Sequence, residues 1–198
     1  MKLTPPRIVL AAAVAGVLGI VASLALDGRG LLLGTDTGQR LLNDALTAAA
    51  TAPEGVAVAR RGEPLPGLQV AALDGGAFHL PGDFAGRALL VNVWASWCGP
   101  CIREMPELDR YAREHGARGT QVLGLALDEP QAVRDFLQRV RVAYPQAIDP
   151  PGPADAGVRL GNPKGVLPYS ILVSADGRLL KQKIGPFEEG EIDGWASP

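Results

Sequence analysis

Residues 88–94 read ALLVNVW, an almost unbroken apolar run, and Cys98-Gly99-Pro100-Cys101 follows it closely. A strand that is apolar on both faces has to be buried on both, which calls for helices packed against a sheet with parallel neighbours. Pro100 suits the first turn of a helix, where its fixed φ fits and its missing N–H has no partner to lose. Buried strand, tight turn, paired cysteines and helix start therefore arrive in one short stretch, and an α/β layered fold is the arrangement that accommodates them. These are the only two cysteines among 198 residues. A disulfide closing so short a loop contributes only about 2 kcal/mol, against about 4.7 kcal/mol for a 100-residue loop. The pair is a poor staple, so its chemistry is the better reason for its presence.

A C-x-x-C that ends a strand and opens a helix reads as a thioredoxin-like redox motif. The unpaired N–H groups and partial positive charge of a helix start favour a thiolate at Cys98. Cys101 lies one turn further in and is expected to be the more buried thiol. Gly99 leaves the approach to Cys98 open. Residues at i and i+3 sit about 5–6 Å apart at Cβ, so a small adjustment closes a disulfide. Metal binding fits poorly, since zinc takes four ligands and His79 and His115 lack suitable spacing. A peroxide-reducing chemistry would want Thr-x-x-Cys, and Ala95 stands where the threonine would be.

The remainder of the chain supports the same class. Leu73-Asp74-Gly75-Gly76 marks a hairpin turn. Residues 121–127 (QVLGLAL) make a second buried strand, and Pro130 opens a helix with Val133, Phe136, Leu137 and Val140 at helical spacing. Residues 149–157 form a proline- and glycine-rich excursion. Residues 169–174 and 178–184 form a closing hairpin around Ala175-Asp176-Gly177. Trp94 is expected in the core and Trp97 on an exposed rim beside Cys98, with His79, His115 and Tyr169 as structural or surface residues.

Ahead of this domain, Lys2 and Arg7 precede an uncharged run from Ile8 to Leu26. At ~1.5 Å per residue it matches a ~30 Å hydrocarbon core. The reading is a cytoplasmic segment at 1–7, a transmembrane signal anchor at 8–26, a linker with one short helix at 27–66, and the catalytic domain at 67–198. Ser23-Leu24-Ala25 leaves open a cleaved signal peptide instead. The positive-inside bias places the domain outside the cytoplasm. Within the linker, Thr35, Asp36 or Thr37 would cap a helix with Leu41, Leu42, Ala45, Leu46 and Ala49 on its apolar face. A net charge of −2 and a pI near 5.7 argue against nucleic acid as a partner.

The stretches LLVNVWASWCGPCIREMPEL (89–108) and GVLPYSILVSADGRL (165–179), with the apolar N-terminus, resemble the membrane-tethered thioredoxin-like reductases of the TlpA/ResA/DsbE (CcmG) type. The resemblance covers residues 67–187. It implies a thioredoxin-like fold, a mixed central sheet flanked by helices, preceded by one N-terminal transmembrane helix. It implies that Pro168 is cis and faces the dithiol, so that an extended substrate pairs with backbone near Leu167, with Trp97, Gly99 and Pro100 completing the substrate rim. It implies that Glu104 tunes thiol ionisation and accepts the Cys101 proton. Two features depart from the pattern. Asn92 stands where thioredoxin has a buried aspartate, and the glycines of residues 185–198 leave room for only a short last helix.

The implied activity is disulfide reduction on extracytoplasmic protein substrates through Cys98 and Cys101, with no cofactor and no metal, in a setting such as cytochrome c maturation. The implied partners are disulfide-containing proteins, a membrane-embedded thiol reductant and the bacterial inner membrane, with the domain on the periplasmic side. A net dithiol oxidase on the same fold, and a tethered binding or chaperone module for thiol-containing chains, remain open at this point.

Overall fold

The computed structural model describes residues 35–48 and 53–197. The chain divides into two compact units, Met1–Leu42 and Asn43–Pro198. Of the first, the described part is the start of helix α1 (Asp36–Ala48). Thr35 caps it as expected, its Oγ1 accepting the Gly38 N–H at 3.1 Å. Leu41, expected on an apolar face, is 67% exposed, and Ala49 lies outside the described residues.

The second unit is a seven-stranded mixed sheet in the order β2-β1-β5-β4-β3-β6-β7. The strands are β1 (Leu68–Ala72), β2 (Ala77–Leu80), β3 (Leu89–Trp94), β4 (Gln121–Leu127), β5 (Gln146–Asp149), β6 (Tyr169–Val173) and β7 (Leu179–Ile184). β3, β4 and β5 run parallel, while β6, β7, β1 and β2 add antiparallel neighbours. All of β3 is buried, as its continuous apolar sequence demands. Alternation along it divides the core in two. Leu90 and Trp94 point to the face covered by helices α2 (Gly99–His115) and α3 (Pro130–Arg139), against Met105, Leu108, Val133 and Phe136. Leu89, Val91 and Val93 point to the other face, against Ala156 of the short helix α4 (Ala156–Arg159) and Leu160. Ala59 and Leu65, which precede Gly67 in the chain, are buried in this second cluster. Their N–H groups donate to Arg159 and Gly177 carbonyls.

The closing hairpin forms as expected, and Gly177 takes φ 84° at its turn. The last helix, α5 (Glu191–Trp195), is five residues long. Trp195 packs edge-on against Phe187 at 5.1 Å between ring centroids.

The expected membrane anchor is corrected here. Among the described residues no helix is long and apolar enough to cross a membrane. The longest of them, α2, has 17 residues with charged side chains on several turns, short of the ~20 predominantly apolar residues a span requires. The fold class is therefore a thioredoxin-like α/β sheet domain, with no membrane-spanning helix among the described residues. On the same finding the signal-anchor assignment, the single-pass inner-membrane placement with a periplasmic domain, and the membrane and membrane-embedded reductant as partners are corrected: no helix among the described residues carries them. The run from Ile8 to Leu26 lies outside the described residues.

Candidate active site

Cys98 and Cys101 are joined by a disulfide with Cα atoms 5.3 Å apart. Cys98 is the N-cap of α2, with extended backbone (φ −84°, ψ 99°), and its Sγ accepts the Cys101 N–H at 3.3 Å. Gly99 and Pro100 make the first turn. Strand β3 has ended at Trp94 and the chain turns at Ser96 and Trp97; the helix starts here because Pro100 suits its first turn and the following N–H groups are free to point at the cap. One of those N–H groups aimed at sulfur, at the positive end of the helix, stabilises negative charge on Cys98 when the pair is reduced. Cys101 is fully buried, one turn deeper, and Cys98 is nearly so.

The turn that delivers Cys98 is pinned by Asp128 at the end of β4. Its Oδ2 accepts the Ser96 N–H at 2.9 Å and the Ser96 hydroxyl at 2.6 Å, and its Oδ1 accepts the Glu129 N–H at 2.8 Å. Burial pushes this carboxyl up, but the bonds from Ser96 and Glu129 outweigh it and hold the group below its usual range. The next side chain, Trp97, is 71% exposed beside the disulfide. Trp94 is buried, and its Nε1 donates to Gln146 Oε1 at 3.0 Å.

Glu104 lies one turn beyond Cys101 and is only 1% exposed. Its Oε1 accepts the Asn92 amide at 2.8 Å and its Oε2 accepts the Phe187 N–H at 2.8 Å. Asn92 also donates to Ser170 Oγ at 3.0 Å, across the β3–β6 pair. Burial pushes the Glu104 carboxyl up to about 7, against the opposing pull of the Phe187 N–H, the Asn92 amide and the Lys183 charge. A buried carboxyl poised near neutrality can take and return a proton. A cavity of about 450 Å³, lined by Arg103, Glu107, Phe187 and Glu188 among others, reaches Glu104 from the solvent side.

The Leu167–Pro168 peptide is cis. Leu167 packs against the apolar cluster that holds both cysteines. Tyr169 is buried and its hydroxyl donates to the Leu160 carbonyl, while His79 and His115 are on the surface. Among the described residues, the grouping of possible metal ligands is Glu114, His115 and Asp193. All three are exposed, and Arg110 already engages both carboxylates.

Three participants had no sequence signal strong enough to single them out. Asp128 reads as an ordinary residue after a strand. The Phe187 N–H is a backbone group 83 residues from its acceptor. Lys183 lies in a strand that reads half polar, yet its side chain is buried. Each acquires its place only through long-range packing.

Comparison with known proteins accords with this geometry. The Redoxin family profile matches residues 47–195. The thiol-disulfide oxidoreductase ResA of Bacillus thuringiensis is 30% identical over 137 residues, covering 68% of this chain and 75% of that protein. ResA of Halalkalibacterium halodurans is 27% identical over 139 residues, covering 69% and 75%. Among solved structures, the secreted thiol-disulfide isomerase of Corynebacterium glutamicum superposes with a TM-score of 0.60 at 25% identity, covering 74% of this chain and 93% of that one.

Proposed function

The chain belongs to the Redoxin family, within the ResA/DsbE group of thioredoxin-fold thiol-disulfide oxidoreductases, and from that premise we propose how its own residues divide the work. It is a thiol-disulfide oxidoreductase. The net direction is reduction of disulfides in polypeptide substrates. The reduced protein carries Cys98 as a thiolate, stabilised by the Cys101 N–H and the helix start. That sulfur attacks one sulfur of the substrate disulfide. The new Cys98–substrate bond forms as the substrate S–S bond breaks, and the departing substrate sulfur leaves as a thiolate that picks up a proton. Cys101 then gives its proton to Glu104 and attacks Cys98 Sγ. The mixed disulfide breaks, and the second substrate sulfur leaves and is protonated. Two electrons have passed to the substrate, and the protein holds the Cys98–Cys101 disulfide. A dithiol reductant must restore it.

Trp97, the cis Leu167–Pro168 loop and the Gly99-Pro100 turn form the surface on which the substrate chain lies. The exposed indole supplies apolar contact at small entropic cost. The backbone near Leu167 supplies hydrogen-bonding partners for an extended substrate strand.

The observation that carries this reading is the disulfide at the start of α2, with the Cys101 N–H aimed at Cys98 Sγ and an exposed tryptophan beside it. Its test is trapping. The Cys101→Ala protein should accumulate mixed disulfides with model polypeptide disulfides through Cys98, and Cys98→Ala should accumulate none. Equal trapping by both variants would reject the assignment of Cys98 as nucleophile.

A further inference from the structure

The C-terminal segment from β7 to α5 wraps around Glu104 and brings an ion pair with it. Lys183 is 5% exposed, and its Nζ lies 2.7 Å from Glu191 Oε1. The same ammonium sits 5.4 Å from the centroid of the Phe187 ring, and the Phe187 N–H is the donor to Glu104 Oε2. Glu191 Oε2 in turn accepts the Glu188 N–H at 2.9 Å, which ties the turn after Phe187 to α5. The Gly190 N–H donates to Glu107 Oε1 on α2 at 2.8 Å. The segment therefore holds two consecutive turns of α2 by their glutamates while placing one positive and one negative charge behind the first of them.

We propose that Lys183 and Glu191 are positioning residues that set the pH at which Glu104 exchanges its proton, with opposite sign. The proposal rests on the reading of Glu104 as the proton acceptor of Cys101. In a buried setting a full charge near a carboxyl acts through low dielectric and is weakly screened. Lys183 favours the Glu104 carboxylate and Glu191 disfavours it, so the pair works as a matched set. The other groups around Glu104 are Asn92 and Ser170 from the sheet, both neutral. Tyr144 feels the Glu104 charge and is kept protonated by burial. Arg103, Glu107, Arg110, Glu188 and Glu189 line the cavity. Of these, Arg110 and Glu107 are engaged with each other. A buried lysine on a terminal hairpin is costly unless paired, and pairing it with a residue of the last helix makes that helix part of the electrostatics of the site.

The experiment follows the pH dependence of Cys101 reactivity in the reduced full chain, together with a carbon NMR titration of the Glu104 carboxyl, for wild type, Lys183→Met, Lys183→Arg, Glu191→Gln and Glu104→Gln. Lys183→Met should raise the Glu104 midpoint by about 1 pH unit. Glu191→Gln should lower it, and Lys183→Arg should leave it close to wild type. Loss of packing alone would move Lys183→Met and Glu191→Gln the same way or not at all, and either result overturns the proposal. Glu104→Gln separates the two levels. If it leaves the Cys101 profile unchanged, the proton-acceptor reading fails. If it removes the inflection while the NMR midpoint ignores residues 183 and 191, only the tuning fails.

Discussion

The side-chain amide of Asn92 donates to Glu104 Oε1 at 2.8 Å in a fully buried contact between the centre of the sheet and the first turns of α2. The amide stands on β3 and the acid on α2. The amide nitrogen serves two acceptors, Glu104 and Ser170, while the Asn92 Oδ1 has no partner. The arrangement is matched to an ionised Glu104, even though burial draws that group toward its protonated form.

Stability should therefore depend on Glu104 in a definite pH window. Its folded value is raised from 4.5 to about 7. Below the unfolded value both states carry the proton and the group contributes nothing. Above it the unfolded chain ionises while the folded chain keeps its proton, so stability falls as pH rises from about 4.5 to about 7, by about 3 kcal/mol in all. Urea denaturation of the oxidised protein at pH 5 and pH 8 measures the loss. Glu104→Gln should flatten it, and an equal loss in that variant would assign the effect elsewhere.

Replacing Asn92 by Asp would set two carboxyls at hydrogen-bonding distance in the core. One would stay protonated, and the pair would lose its protons in two steps with the upper step above that of Glu104 alone. The pH window of stability loss should extend upward by about 1 unit or more. A thermal-melting profile superimposable on wild type would refute this.

Asp128→Ala removes the acceptor for the Ser96 N–H, the Ser96 hydroxyl and the Glu129 N–H. Stability should fall by about 1–3 kcal/mol. Amide exchange at Ser96 and Trp97 should accelerate more than exchange in β3. Uniform acceleration across the domain would show that Asp128 does not act on this turn in particular.

At Gly124 an added Cβ would lie 2.2 Å from Gln146 Oε1 and 2.5 Å from its Nε2. Gly124→Ala must displace the Gln146 side chain and with it the bond from Trp94 Nε1. A cost of about 2 kcal/mol is expected, with a shifted Trp94 emission. Unchanged emission with an unchanged melting temperature would mean that Gln146 repacks freely.

What the sequence determined by itself was local or periodic. The double-sided apolarity of residues 88–94 requires a central strand, and the C-x-x-C with Pro100 requires a helix to begin where it does. The resemblance carried the cis Leu167–Pro168 peptide, which propensity alone would not have suggested. The short last helix was legible from Gly190 and Gly194. The tertiary structure decided the rest. A charged residue reads as exposed until packing seals it, so neither the burial of Glu104 and Lys183 nor the partnership of Glu104 with Asn92 and the Phe187 N–H follows from spacing. Those contacts join residues far apart in the chain, and their energies come from low dielectric and desolvation, which exist only once the layers have closed.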